Sequence, residues 1–463
     1  MDKNLNEKCG VFGIFNAPNI ASRQTYFGLF ALQHRGQEQT GIVSTNGKRL
    51  FAYKNSGLVS QVYTEKIMKK LHGFAAIGHN RYSTSRGTST KHAQPVIINN
   101  TIAFAHNGNL PSTKALVDFL KKNKVFIKSN SDSELMAKAI GFYMKRGLSL
   151  SKAIERSYPL FTGAFSCVAL SNKEMVAFRD PRGIRPLVIG KRENETIIAS
   201  ESCALRTVGA HLLREVLPGE MVSISKKVMK SKILAREEPK LDIFEFVYFS
   251  RHDCLMLGKS VYQVRKNFGR MLFKEHPNIK FDVIIPVPET SIPAAIGYSQ
   301  ESGVPFEIAL NKNRYIHRTF IEPLQIGRDK KVKMKLSVLY SVIKNKRVGV
   351  IDDSIVRGTT SRQIVKMLFD AGAKEVHFLV GSAPVKFPDF YGIDTPKQEN
   401  LISSQKTIEE TRQYLGATSL SFLSIDGMVK ATGLPKKRFS LSAFNGEYPL
   451  PIFEHEKEIK YNK

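Results

Sequence analysis

Cysteine is scarce in this chain of 463 residues: there are four, Cys9, Cys167, Cys203 and Cys254. None forms a CxxC pair, so the spacing suggests neither a zinc site nor a disulfide framework. No run of 18 apolar residues occurs, and the amino terminus lacks the basic-then-apolar pattern of an export signal. The expectation is a soluble, cytoplasmic protein without a membrane partner. Acidic side chains are also in the minority, 41 against 70 lysines and arginines, for a net charge of +29. Such a charge raises nucleic acid as a partner. The lysines are spread along the chain, however, apart from short groups such as Lys330–Lys335 and Lys436–Arg438. No helix-turn-helix, zinc-finger or RNA-recognition pattern accompanies them, so no nucleic-acid partner is expected. With 42% hydrophobic residues, a chain of this length can fill two or three domain cores.

What is present concentrates in Gly349–Ser361, GVIDDSIVRGTTS. Val348, Val350 and Ile351 make a short apolar run of the kind found in a buried parallel strand. Asp352, Asp353, Ser354, Arg357, Gly358, Thr359, Thr360 and Ser361 follow. The spacing then becomes helical through Ile364, Val365, Leu368 and Phe369, with Gly372 as a stop signal. Strand, loop and helix in that order place a ligand at the carboxyl end of a parallel sheet. Paired carboxylates suit ribose hydroxyls or a hard cation, and the Gly/Thr/Ser segment suits a phosphate at a helix amino terminus. A capped turn with two surface acids is the plainer alternative.

At the other end of the chain, Met1–Lys8 is a polar tail and Cys9 opens an apolar strand, CGVFGIF. If the Lys8–Cys9 bond is cut, the Cys9 α-amino group becomes a general base for its own thiol. Four further segments supply what hydrolysis of a glutamine amide needs: QHRGQE at Gln33–Glu38, GHNRYST ending at Thr84, AHNGNL ending at Leu110, and NSDSE at Asn130–Glu134. Arg81 can pair with a substrate carboxylate. Asp132 can hold its α-ammonium. Asn107 and the backbone N–H of Gly108 can form an oxyanion hole. Taken singly, each has a plainer reading as a turn, a helix cap or a surface charge.

Taken together, these motifs resemble two known folds fused in one chain. CGVFGIF, QHRGQE, GHNRYST and AHNGNL resemble the N-terminal-nucleophile (class II) glutamine amidotransferases. DDSIVRGTTS resembles the phosphoribosyl-pyrophosphate (PRPP) motif of the type I phosphoribosyltransferases. The pair is similar to the amidophosphoribosyltransferase family, and the similarity runs from Cys9 to about Pro449. It implies an α/β and α+β two-domain protein, with a four-layer αββα sandwich followed by a domain with a mostly parallel central sheet. The expected divisions are a propeptide (1–8), a glutamine amidotransferase domain (9–230), a phosphoribosyltransferase domain (231–450) and a charged, frayed tail (451–463).

The resemblance further implies Cys9, Asn107 and Gly108 as catalytic, and Arg81 and Asp132 as glutamine-binding. It implies Asp352, Asp353, Ser354, Arg357, Gly358, Thr359, Thr360 and Ser361 as PRPP-binding. One Mg²⁺ per subunit is expected near Thr290, Asp352 and Asp353, with Ser291 a neighbouring candidate in PETS. Lys312, Arg314 and Arg318 are candidates for a lid over PRPP. Feedback by purine nucleotides and a homotetramer are implied as well. Some family members carry a [4Fe–4S] cluster on four cysteines. Two of those positions fall near Asp242 and Asp389, and no cysteine follows Cys254, so no iron–sulfur cluster is expected. An amidotransferase with another acceptor, a silenced glutaminase fed by free ammonia, and a nucleic-acid-binding protein are the competing readings.

Overall fold

The computed structural model describes residues 6–7, 9–81, 93–226, 228–313, 336–395 and 397–460. The elements that carry the amino-terminal domain are β1 (Asn6–Glu7), β2 (Cys9–Phe15), α1 (Ala21–Ala31), β3 (Ala75–Arg81), β4 (Ile102–Asn109), α2 (Asp132–Lys145), β5 (Ala164–Ser171) and α3 (Ser202–Thr207). Successive strand residues point to opposite faces, and β2 uses both. Val11 and Phe15 enter a core shared with Ala103 and Ala105 of β4 and Val168 and Leu170 of β5. Phe12 and Ile14 face the other way, toward Leu29 of α1. On the far side Ile102 and Phe104 of β4 pack under Leu135, Met136, Ala139 and Ile140 of α2. Helix, sheet, sheet and helix are therefore stacked with three apolar interlayers, which is the four-layer fold expected from the motifs.

The first sheet has seven strands, in the order His211–Glu215, Val188–Arg192, Glu195–Ala199, β2, β3, Gln39–Thr45, Leu50–Ser56. The second has six: Met229–Ile233, Glu220–Ile224, Met175–Arg179, β5, β4, Val96–Ile98. Both are antiparallel throughout. Met229–Ile233 pairs along its whole length with Glu220–Ile224. A boundary near residue 230 would cut that strand, and the chain leaves the sheet only after Ile233.

The carboxy-terminal domain is built on β6 (Val283–Pro286), β7 (Arg347–Asp352), α4 (Thr359–Asp370), β8 (Glu375–Val380), β9 (Ile393–Asp394) and β10 (Ser419–Phe422). Strands β6, β7, β8 and β10 lie side by side in that order, all parallel. Val283, Ile285, Val348 and Val350 face Ile364 and Leu368 of α4. Ile284, Ile351 and Leu379 face Phe268, Leu272 and Ala295 on the opposite side. Helices on both faces explain why β7 reads as a continuous apolar run rather than an alternating one. Among the described residues no helix is long and apolar enough to cross a membrane.

The last described residues, up to Lys460, are seated on the domain. Ile452 and Ile459 are buried with Ala164, Ile184 and Tyr391, and the Lys460 N–H donates to Gln398 Oε1 at 2.7 Å. The expectation overlooked that two isoleucines among charges suffice to seat a terminal turn. The two domains also share buried charge. Arg35 Nη2 lies 2.9 Å from Glu245 Oε1, as does Arg185 Nη2, and all three side chains are fully buried.

Candidate active sites

Cys9 heads β2 and is paired in register with Arg81, the last residue of β3. By strand parity Cys9 shares the face of Val11 and Phe15, Arg81 that of Ala75 and Ile77, and Asn107 that of Ala103 and Ala105. All three thus belong to the layer between the sheets. His79 Nε2, 3.1 Å from the His106 carbonyl, ties the end of β3 to the end of β4. The cysteine is buried, and its carbonyl accepts from Arg35 Nε at 3.2 Å.

Asn107 is fully buried, and neither its Oδ1 nor its Nδ2 has a hydrogen-bond partner among the described residues. A buried amide left without a partner costs about 1–3 kcal/mol, and both of its polar atoms are free to engage a ligand. Gly108 beside it has φ +147°, and a Cβ there would stand 2.0 Å from the Ala164 carbonyl oxygen. No other residue fits that backbone. Asp132 is the first residue of α2 rather than part of the preceding loop. Its Oδ2 accepts from the Leu110 N–H at 3.3 Å and its Oδ1 from the Ser133 N–H at 2.6 Å, which seats the carboxylate beside the end of β4.

Sequence reasoning missed the support beneath this site. Gln94 Oε1 accepts from the His106 N–H at 2.8 Å, and Gln94 Nε2 donates to Ser133 Oγ at 3.1 Å. His106 Nδ1 lies 3.1 Å from the same hydroxyl. Burial, aided by Arg81, drives His79 down to about 3, so it stays neutral. Only the histidines within GHN and AHN hinted at these roles.

In the second domain β7 ends at Asp352, and α4 begins after Gly358, which has φ +72°. Asp352 and Asp353 are both buried. The hydroxyls of PETS divide between them: Thr290 Oγ1 donates to Asp353 Oδ2, and Ser291 Oγ to Asp352 Oδ1 at 3.3 Å. The Asp353 N–H and the Ser354 hydroxyl each donate to the preceding carboxylate at 2.9 Å. An all-oxygen set of two carboxylates and two hydroxyls suits a hard cation such as Mg²⁺. Thr360 and Ser361 are buried in the first turn of α4, where helix N–H groups favour an anion. Arg357 Nε is buried without a hydrogen-bond partner among the described residues. Lys312 is exposed at the end of a short strand, Leu310–Lys312, whose Leu310 is buried; Arg314 and Arg318 lie outside the described residues. A pair that sequence reasoning missed backs the loop. Arg265 Nη1 is 2.9 Å from His252 Nδ1, and His252 Nε2 is 3.2 Å from the Glu289 carbonyl. Burial and the Arg265 charge hold His252 down to about 4.

One segment joins the two sites. Asn109, at the end of β4, donates through Nδ2 to the Phe390 carbonyl at 2.8 Å. A Cβ on Gly392 would lie 3.2 Å from the Gly108 Cα. Two residues on, β9 pairs antiparallel with β1, just before Cys9. Asp389 shapes this turn, its Oδ1 accepting from the N–H groups of Tyr391 and Ile393 at 2.8 and 2.9 Å. Nearby Asp242 is pushed up to about 8, by burial first and by the Asp389 charge second, against the pull of Arg185.

Comparison with known proteins agrees with this geometry. A glutamine amidotransferase domain model matches residues 79–207. An amidophosphoribosyltransferase from Bacillus subtilis is 43% identical, covering 100% of this chain and 99% of that protein. The Methanocaldococcus jannaschii protein of the same name is 40% identical over 96% of this chain and 98% of its own length. Among solved structures, glutamine PRPP amidotransferase from B. subtilis, complexed with ADP and GMP, superposes with a TM-score of 0.89. It is 43% identical and the match covers 96% of this chain and 98% of that one.

Proposed function

Because the chain belongs to the amidophosphoribosyltransferase family, and so hydrolyses glutamine and transfers the ammonia to PRPP to give 5-phosphoribosylamine, glutamate and pyrophosphate in purine biosynthesis, we propose that its two buried constellations divide that work. The division falls after Ile233, with residues 1–8 a propeptide whose removal frees the Cys9 α-amino group.

In the first constellation Arg81 pairs with the glutamine α-carboxylate and Asp132 with its α-ammonium. The Cys9 thiolate attacks the side-chain amide carbon, with the freed α-amino group taking the thiol proton. Charge moves to the amide oxygen, which accepts from Asn107 Nδ2 and the Gly108 N–H. Ammonia leaves with that proton, and water resolves the thioester to glutamate. The buried, partnerless amide of Asn107 is the observation that carries this reading.

In the second constellation Asp352 and Asp353 hold the ribose hydroxyls, oriented by Ser291 and Thr290. Ser354, Arg357, Gly358, Thr359, Thr360 and Ser361 cradle the 5′-phosphate. A Mg²⁺ ion held near Thr290, Asp352 and Asp353 would neutralise charge on the departing pyrophosphate. Lys312, Arg314 and Arg318 close over the substrate and exclude water. Positioning then supplies most of the rate of ammonia attack at C1. We read the chain as a cytoplasmic homotetramer, inhibited by purine nucleotides and free of an iron–sulfur cluster, with ammonia passing internally once PRPP binds.

Intact mass followed by glutaminase assay with and without PRPP tests the reading. Loss of residues 1–8 together with PRPP-stimulated glutamine hydrolysis is expected. Glutamine hydrolysis by a chain that retains Lys8, or that is indifferent to PRPP, would overturn the processed nucleophile or the coupling, respectively.

A further inference from the structure

Three buried side chains that the reaction does not use converge where the domains meet. Glu201 precedes α3, Cys203 lies in its first turn, and Cys254 follows the crossing into the second domain. Their ligand atoms all lie within 4.8 Å of one another. Glu201 uses its two oxygens differently. Oε1 takes His34 Nε2 at 2.8 Å and Arg35 Nη1. Oε2 faces Cys254 Sγ at 3.0 Å and Cys203 Sγ at 3.7 Å, and accepts the Arg251 N–H at 3.1 Å.

We propose that Glu201 Oε2, Cys203 Sγ and Cys254 Sγ form a binding site for a thiophilic divalent cation, zinc being the fitting ion, which joins the two domains.

The spacing matches the ion. Tetrahedral zinc with sulfur at about 2.3 Å and oxygen at about 2.0 Å sets its sulfur and oxygen ligands about 3.5 Å apart. The two observed S···O separations straddle that value. The donors also match, since two sulfurs and a carboxylate suit zinc far better than Mg²⁺. His34 and Arg35 engage Glu201 Oε1, which leaves Oε2 directed at the two sulfurs. Binding displaces one proton from each thiol, leaving two thiolates and a carboxylate around a dication. Arg35 balances the single negative charge that remains. Water would fill the fourth position of the tetrahedron. A buried metal bridging Glu201 and Cys254, 53 residues apart in sequence, contributes its binding energy to the native junction.

The test measures metal on the full-length protein, purified without chelator from zinc-supplemented culture. Elemental analysis is expected to find about one zinc per chain in the unmutated protein, lost in Cys203→Ser/Cys254→Ser and retained in Cys167→Ser. Cobalt reconstitution of the unmutated chain keeps the result independent of how the variants fold. Thiolate-to-cobalt charge-transfer absorption is expected, together with loss of two alkylatable thiols. Zinc-free protein without that absorption, or a mass showing a Cys203–Cys254 disulfide, would overturn the proposal.

Discussion

The two constellations are assembled in opposite ways. The first draws on residues between 9 and 132, carried by three strand ends and a helix start, and it exists only because strand parity turns Cys9, Arg81 and Asn107 into one layer. The second is nearly all contained in Gly349–Ser361, one strand, one loop and one helix start, with PETS reaching across from the neighbouring strand. A dispersed site inherits its precision from the sheets and is covered by folding. A contiguous site is set by one loop and depends on a lid for cover. The first should therefore resist local change until the sandwich itself is disturbed, while the second should respond residue by residue.

The sharpest break in the comparison is Cys9→Ala. Glutamine-dependent synthesis is expected to fall by about 10⁴-fold or more, as loss of a nucleophile does, while synthesis from added ammonium salt is kept. Parallel assays with the two nitrogen sources check this. Asn107→Ala is expected to cost about 10²–10³-fold in glutaminase kcat with little change in KM, the signature of an oxyanion donor. An equal rise in KM instead would mean that Asn107 binds ground-state glutamine. Asp352→Asn is expected to lower kcat/KM for PRPP by about 10²-fold, from lost contacts to a charged group worth roughly 1.5–3 kcal/mol each. Both nitrogen sources should suffer alike, and basal glutaminase should persist.

The junction offers a change that ought to affect both sites together. Glu245→Ala leaves Arg35 and Arg185 buried beside a lost carboxylate. A cost of about 3–5 kcal/mol is expected in urea unfolding, with both activities falling in step. The last change concerns acidity. Asp242 has a folded pKa of about 8 against an ordinary 3.8, so folding favours its protonated form. Its contribution to stability is complete below pH ~4 and is lost as pH rises toward 8. Asp242→Asn should flatten the decline of Tm over that window, and an unchanged slope would remove Asp242 as its source.

How much of this was legible beforehand follows the same contrast. The strand, loop and helix of the proposed PRPP loop could be read outright, because apolar strand, DD and GTTS are adjacent, and the strand-to-helix change sits within a few residues. Cys9, Arg81, Asn107, Gly108 and Asp132 stand out through their motifs, yet no spacing rule could have shown that Cys9, Arg81 and Asn107 share one layer. That knowledge lies in the register of β2 on β3. His106, Ser133 and Gln94 stayed hidden because buried polar scaffolding leaves no periodic trace. The choice between Thr290 and Ser291 had no answer in sequence; in the structure each hydroxyl bonds a different carboxylate. The seated carboxy terminus was misjudged because charge dominates its composition while two isoleucines decide its place.

The buried Arg35–Glu245–Arg185 cluster bears on the order of events during synthesis. Arg35 leaves the ribosome 210 residues ahead of Glu245, and chains emerge at about 5–20 residues per second. For about ten seconds or longer the nascent first domain holds an Arg35 that lacks this carboxylate. The domain's inner sheets can form in that time and Glu201 can pair with Arg35, but the Glu245 contact to Arg35, which also holds the Cys9 carbonyl, waits for the second domain. The nucleophile is then locked into place late, when the acceptor half is already being made, so a truncated chain would be a poor source of stray ammonia.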